Sequence, residues 1–162
     1  SVHEYPNSEQ LAEIAISAAR VVRLFGFDPK VAFVSHSTFG QPLTSRTKHI
    51  KDAVEILKKR KVDFEFDGDM QPDVALDEEY KSLYPFSKIV GNANILIMPG
   101  QHSAAISYKM MKTLGDAKVI GPLLIGLGLP IEIAPLRSST SEIINLASIA
   151  AYSADVIDYN KD

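Results

Sequence analysis

Apolar residues recur along this chain with two different periods, and the periods alternate. Leu11, Ile14, Ala15, Ala18, Val21, Val22 and Phe25 share one face of a helix that starts after Asn7 or Ser8 and stops at Gly26. Gln10, three residues after Asn7, makes a box-like N-cap. Val31–Val34 is a β-branched and aromatic run, which reads as a buried strand. Thr44 or Ser45 opens a second helix with Ile50, Val54 and Leu57 inward. Its basic end, Lys58–Lys61, suits a helix C-terminus and reads most simply as solvated. Val62–Phe66 alternates and predicts a strand near a sheet edge. A short helix over roughly Val74–Leu83 and a weak strand around Ile89–Val90 follow.

The most apolar stretch is a strand–helix–strand pattern. Ile95–Met98 is too short for a helix and too apolar for a surface strand, so it predicts a central strand buried on both faces. After Pro99-Gly100, Ser103 caps a helix with Ile106, Met110 and Leu114 inward, and Gly115 ends it. Val119–Leu127 predicts a second buried strand with Gly121-Pro122 near its start. Such a unit is the crossover of a parallel sheet. Ile131–Ala134 predicts a further short strand, Ser139–Glu142 a capping box, and the last helix turns Ile143, Leu146, Ala147, Ala150 and Ala154 inward. The alternation predicts an α/β fold, a three-layer α/β/α sandwich on a mainly parallel sheet. Residues 1–6 read as a tail or linker and 7–162 as one domain. Ligands of such sheets sit at strand carboxyl ends, which points to the loops Pro99–Ser103 and Leu127–Pro130.

Composition narrows the classes. A 46% hydrophobic content and a net charge of -3 fit a globular protein and argue against a nucleic-acid partner. Gly and Pro break every apolar run, so no membrane span is expected, and no signal peptide is visible. Without cysteine there is no disulfide framework, and the cytoplasm is the expected compartment. The chain begins at Ser1, which is expected of a piece cut from a longer protein.

Candidate chemistry is sparse. Ser35-His36-Ser37-Thr38 follows a predicted strand and precedes a helix, so its hydroxyls and N–H groups could hold a phosphate or carbonyl oxygen, or simply serve turn and cap. No glycine-rich nucleotide fingerprint follows any strand. Asp67, Asp69 and Asp73 lack the spacing of a calcium loop, and the four histidines lack ligand spacing, so no metal site is expected. Arg137 stands at a strand-to-helix joint, as a phosphate ligand or a plain surface residue. The last helix carries apolar residues on more than one face, Tyr152 among them, which predicts self-association.

Several segments occur together in a specific order: Val31–Thr38, Asp67-Gly68-Asp69-Met70-Gln71, Ala93–Pro99, Tyr108-Lys109 and Ile120–Leu127. In these the chain resembles the second half of phosphate acetyltransferase (phosphotransacetylase), from Ala12 to about Ala154. It is still more similar to the phosphotransacetylase-type C-terminal domain of bacterial NADP-dependent malic enzymes. The resemblance implies an isocitrate/isopropylmalate dehydrogenase-like fold and acetyl-CoA as a regulatory ligand. It also implies a homodimer or higher oligomer, and an N-terminal malic enzyme domain in the same chain. NADP and a divalent metal would belong to that separate domain, which oxidatively decarboxylates malate to pyruvate. The residues expected to bind a CoA ester, taken from loops that follow predicted strands and share one sheet edge, are Ser35, Ser37, Thr38, Gly68, Gln71, Pro99, Gly100, Ser103 and Arg137.

The chain departs from the family at the reacting centre. Counted from Pro130, the family's serine and arginine positions hold Pro135 and Leu136, its aspartate position holds Glu142, and Arg137 falls one residue late. A further family arginine aligns with Thr113, and family Asp and Asn residues are replaced by Gly100, His102 and Ala105. The arginine holds phosphate in the family and the aspartate handles the thiol proton. The expectation is therefore an acyl-CoA-binding regulatory and dimerisation domain with no catalytic residues. The alternative is a working enzyme moving acetyl between acetyl-CoA and phosphate.

Overall fold

Strand β1 (Lys30–Val34) organises the first part of the molecule. It pairs in parallel with β2 (Glu65–Met70) on one edge and with β3 (Ile95–Ile97) on the other, giving the order β2-β1-β3. The computed structural model describes residues 3–115, 118–127 and 129–159. The chain divides into two units, Ser1–Tyr108 and Lys109–Asp162, each described by itself.

In the first unit the period-two alternation of β1 sorts the core into two. Val31 and Phe33 meet Leu11, Ala12, Ala15 and Ala19 of α1 (Ser8–Leu24) and Ile50, Ala53, Val54 and Leu57 of α2 (Ser45–Arg60). Ala32 and Val34 point the other way, to Met70, Ile89, Ala93 and to Val74 and Ala75 of the short helix α3 (Pro72–Leu76). The chain steps from β1 through α2 to β2, then back past β1 to β3. Right-handed crossovers in opposite directions put their connections on opposite faces. The result is an α/β sandwich on a parallel sheet.

Local chemistry sets most element ends. Asn7 and Gln10 form a reciprocal capping box on α1, with both bonds at 2.9 Å. Thr44 and Thr47 do the same for α2. Arg60, in the basic end of α2, pairs with Glu9 at 2.7 Å and with Glu13, linking the two helices.

Several expectations are corrected. Within Ile95–Met98 the strand β3 covers Ile95–Ile97, and among the described residues it lies at a sheet edge with β1 central. The strand expected at Val62–Phe66 lies at Glu65–Met70, because Arg23 takes both the carbonyl and the carboxylate of Asp63 and keeps that residue in the turn. The Val74–Leu83 helix is two, broken at Asp77, whose extended backbone and side chain cap α4 (Glu78–Ser82) through the Glu79 N–H. No strand forms at Ile89–Val90, where the Val90 N–H goes to the Glu65 carboxylate at 2.8 Å. Glu4–Pro6, read as tail, packs against the start of α5 (Gln101–Leu114), and Pro6 is buried. Ser1 and Val2 of that tail lie outside the described residues.

Helix α5 begins at Gln101, so Ser103 lies within its first turn and its hydroxyl donates to the Gly100 carbonyl at 2.8 Å. Ile106, Met110 and Leu114 are exposed rather than inward. In the second unit no strand forms at Val119–Leu127 or Ile131–Ala134 among the described residues. The Leu124 N–H bonds the Glu132 carboxylate instead of a neighbouring strand. Gly128, in the loop Leu127–Pro130, lies outside the described residues. Helix α6 (Thr140–Tyr159) has the expected box, with Ser139 N–H donating to Glu142 at 2.7 Å and Glu142 N–H to the Ser139 hydroxyl at 3.3 Å. Leu146 is buried, Ala150 and Ala154 are half-buried, and Ile143 and Ala147 are exposed. Among the described residues no helix is long and apolar enough to cross a membrane.

The register of β1 against β2 shifts between Phe33 and Val34, opposite Gly68. Gly68 has φ +148, and a Cβ there would lie 2.7 Å from the Phe33 carbonyl oxygen and 2.8 Å from Phe33 Cβ. Both obstacles are fixed parts of the central strand. Gly68→Ala is expected to destabilise the chain by roughly 2–4 kcal/mol in urea unfolding, with an unchanged midpoint as the contrary result.

Candidate functional site

A cleft of about 590 Å³ opens at the carboxyl ends of β1 and β3, within the first unit. Ser35 and His36 enter it from the end of β1, and Ser45, Thr47, His49 and Ile50 from the first turns of α2. Pro99, Gly100, His102 and Ser103 come from the β3–α5 junction, and Glu4, Tyr5 and Pro6 from the approach to α1. Parallel α/β folds bind their ligands at this place because connections that diverge to opposite faces leave a crevice between strand ends.

The β1–α2 loop is tied down from below. Asp69 is 1% exposed, and one carboxylate oxygen takes the Ser37 hydroxyl while the other takes the Gly40 N–H at 3.0 Å. Its carbonyl accepts from the Phe39 N–H at 2.6 Å. Gln71 N–H bonds the Thr38 hydroxyl at 3.2 Å, and Gln71 Nε2 donates to the His36 carbonyl at 3.1 Å. The Asp67–Gln71 segment thus acts as a clamp for the loop that carries Ser35 and His36.

The implied ligand residues fall into three groups. Ser35, Pro99, Gly100 and Ser103 line the cleft. Ser37 and Thr38 are buried with hydroxyls engaged by Asp69 and Gln71, and Gly68 packs on Phe33. Arg137 belongs to the second unit and is exposed. Sequence reasoning did not single out Glu4, Tyr5 or His49, which join the cleft only through the folding of distant segments. Among the described residues no group of three His, Asp or Glu side chains is placed to hold a metal.

Glu142, in the second unit, is committed to local structure. It accepts from the Ser139 backbone N–H at 2.7 Å, from the Ser139 hydroxyl at 3.0 Å and from Lys112 Nζ at 3.1 Å. These donors, the Ser139 N–H foremost, hold its carboxyl at about 2 instead of the usual 4.5.

The fold and crevice define a parallel α/β protein with a cleft at the switch point of its sheet. The sequence matches the model of the phosphate acetyl/butaryl transferase family over residues 1–151, and the chain belongs to that family. It is 48% identical over 154 residues to an NADP-dependent malic enzyme of Rhizobium meliloti, covering 95% of this chain and 20% of that protein. It is 38% identical over 156 residues to a phosphate acetyltransferase of Clostridium acetobutylicum, covering 95% of this chain and 47% of that protein. A phosphotransacetylase structure from Streptococcus pyogenes superposes with a TM-score of 0.87 at 34% identity, over 96% of this chain and 47% of that one. The chain thus spans about a fifth of the malic enzyme and about half of the phosphate acetyltransferase.

Two outcomes are expected. Asp69→Ala removes the acceptor of the Ser37 hydroxyl and the Gly40 N–H in a buried site, and is expected to cost about 1–3 kcal/mol and to speed amide exchange at Ser37–Gly40. Exchange unchanged there would show that the clamp does not hold the loop. For Glu142 the folded carboxyl lies below its unfolded value, so its stabilisation is complete above about pH 4.5 and is lost as pH falls toward 2. The stability difference between the chain and Glu142→Gln is therefore expected to be constant above pH 5 and to shrink through that acid window. A difference independent of pH in urea unfolding would contradict it.

Proposed function

We propose that the chain is an acyl-CoA-binding regulatory and self-associating domain of an NADP-dependent malic enzyme, and that it does not itself transfer acetyl groups. The observation that carries the reading is the state of Glu142. It occupies the position that the resemblance gives to the proton-handling aspartate, yet it is spent on the cap of α6 and on Lys112. A base must take up a proton near neutral pH, and a carboxyl held at about 2 resists that. Leu136 and Thr113 stand where the family has arginines, so two fixed positive charges for phosphate are absent from those positions. The similarity to malic enzymes supports the larger context, in which a separate domain would hold NADP and a divalent metal.

The ligand we assign to the cleft is acetyl-CoA or a related CoA ester. Ser35 and Ser45 supply hydroxyls at its rim, the Ser103 hydroxyl oxygen faces it while donating to Gly100, and Pro99-Gly100 brings main chain close to its wall. That donor set suits thioester and phosphate oxygens. Binding would alter malate oxidation only through unequal affinity for two conformations of the whole enzyme, a coupling of roughly 1–3 kcal/mol. Self-association is supported by the exposed apolar side chains of α6, including Ile143, Ile144 and Tyr152.

The second reading is a working phosphate acetyltransferase, favoured by the family match and by Arg137 one residue from the expected arginine. The test uses the full-length protein. Acetyl-CoA is expected to bind in calorimetry and to change the rate of malate oxidation, with no turnover of acetyl phosphate and CoA. Turnover that falls on Arg137→Ala would establish the second reading. Acetyl-CoA that neither binds nor changes the rate would remove the regulatory one.

A further inference from the structure

Glu4 and Tyr5 run along the Pro99–Ser103 wall of the cleft and are attached to it by exposed contacts. The Glu4 carbonyl accepts the Gln101 N–H at 3.2 Å, and its carboxylate meets His102 Nε2 at 3.3 Å. The Tyr5 ring lies near parallel to the His102 ring, with centroids 6.5 Å apart. His3, one residue before, touches Gln10 Nε2 at 3.3 Å through Nδ1. The main chains approach closely at Gly100, where a Cβ would come within 2.7 Å of the Glu4 carbonyl oxygen.

The base of this segment is firm and its body is not. Pro6 is buried and Asn7 is fixed by its capping box. Tyr5 is 76% exposed, and the Glu4–His102 side chains are 59% and 71% exposed. Exposed ion pairs contribute little, and one peptide hydrogen bond contributes modestly. We propose that Glu4 and Tyr5 form a displaceable strap, hinged at Pro6-Asn7, that rests on the β3–α5 wall and is lifted when a ligand enters the cleft. The inference rests on the reading of the cleft as a CoA-ester site and names its regulation: occupancy of the cleft changes the path of the chain ahead of α1. Part of the binding energy is spent on lifting the strap, so a weakened strap binds more tightly.

The chain has no cysteine, so a fluorophore on Val2→Cys reports this segment alone. Glu4→Ala is expected to bind acetyl-CoA about threefold or more tightly in calorimetry, and saturation with acetyl-CoA is expected to lower the label's anisotropy in the otherwise unaltered chain. Affinity that is unchanged or weaker in Glu4→Ala, or anisotropy unmoved at saturation, overturns the strap. If acetyl-CoA binds neither chain, the CoA reading has failed separately, and the strap is decided by the label alone. Lower anisotropy in Glu4→Ala without ligand then keeps it, and equal anisotropy removes it.

Discussion

A strand paired in parallel on both edges and buried on both faces leaves its chain few choices, and β1 is such a strand. Val31–Val34 are 0–2% exposed. Two parallel partners demand two crossovers, and those leave in opposite directions, so one connection covers each face. The carboxyl end of β1 leads into a loop, Ser35–Leu43, before α2 begins. Its polar groups still have to be satisfied, and β2 supplies the partners. Ser35 N–H bonds the Met70 carbonyl at 2.9 Å, and Asp69 takes the Ser37 hydroxyl and the Phe39 and Gly40 N–H groups. The cleft is the space left beside this junction. Its shape is set by the same bonds that close the sheet.

Those parts of the fold that depend on neighbours in sequence were legible in the residues. The capping boxes at Asn7-Gln10 and Ser139-Glu142, the N-cap at Thr44, and the inward face Ile50, Val54, Leu57 all follow from spacing alone. What failed was whatever needs a partner. Val119–Leu127 has the apolarity of a buried strand, but a strand exists through its ladder, and among the described residues this run has none. Gly121, with φ +134, and Pro122, without an N–H, break the extended path, and the Leu124 N–H is taken by a side chain. Ile106, Met110 and Leu114 have helical spacing and do form a helix, but spacing says nothing about what the stripe faces. Ile95–Ile97 was correctly a strand for its apolarity, and its edge position depended on an order that no local pattern carries.

The candidate site divides the same way. Ser35, Pro99, Gly100 and Ser103 could be placed because they follow strands, and strand ends of one parallel sheet share an edge. Ser37, Thr38 and Gln71 follow strands too, but their polar groups bond one another's loops, a pairing across 33 residues for Thr38 and Gln71 that spacing cannot reveal. Glu4 and His49 gave no signal, since one sits before the first helix and the other inside a helix whose pattern was read only for its apolar face. The polar residues of a helix's first turn were the usable clue, because α2 must point that turn at the sheet edge from which it departs.

Glu142 shows how a helix cap and a proton acceptor make opposite demands on one carboxylate. Helix α6 starts with donors that need an acceptor, and a carboxylate three residues after Ser139 provides one. That service lowers its affinity for protons, as does Lys112. Capping favours the ionised carboxylate, whereas a base has to accept a proton during reaction, so the two demands oppose each other at a single residue. A carboxyl whose proton affinity is lowered in this way is a weaker acceptor than an ordinary carboxylate. The resemblance gives fixed arginines the separate task of holding phosphate. Leu136 and Thr113 offer no such charge at the family positions. On the proposed reading, the engaged carboxylate and the uncharged residues at those positions act in the same direction. An arginine at either position would leave the Glu142 carboxylate bonded to Ser139 and Lys112, so the cap and the charge are separate demands.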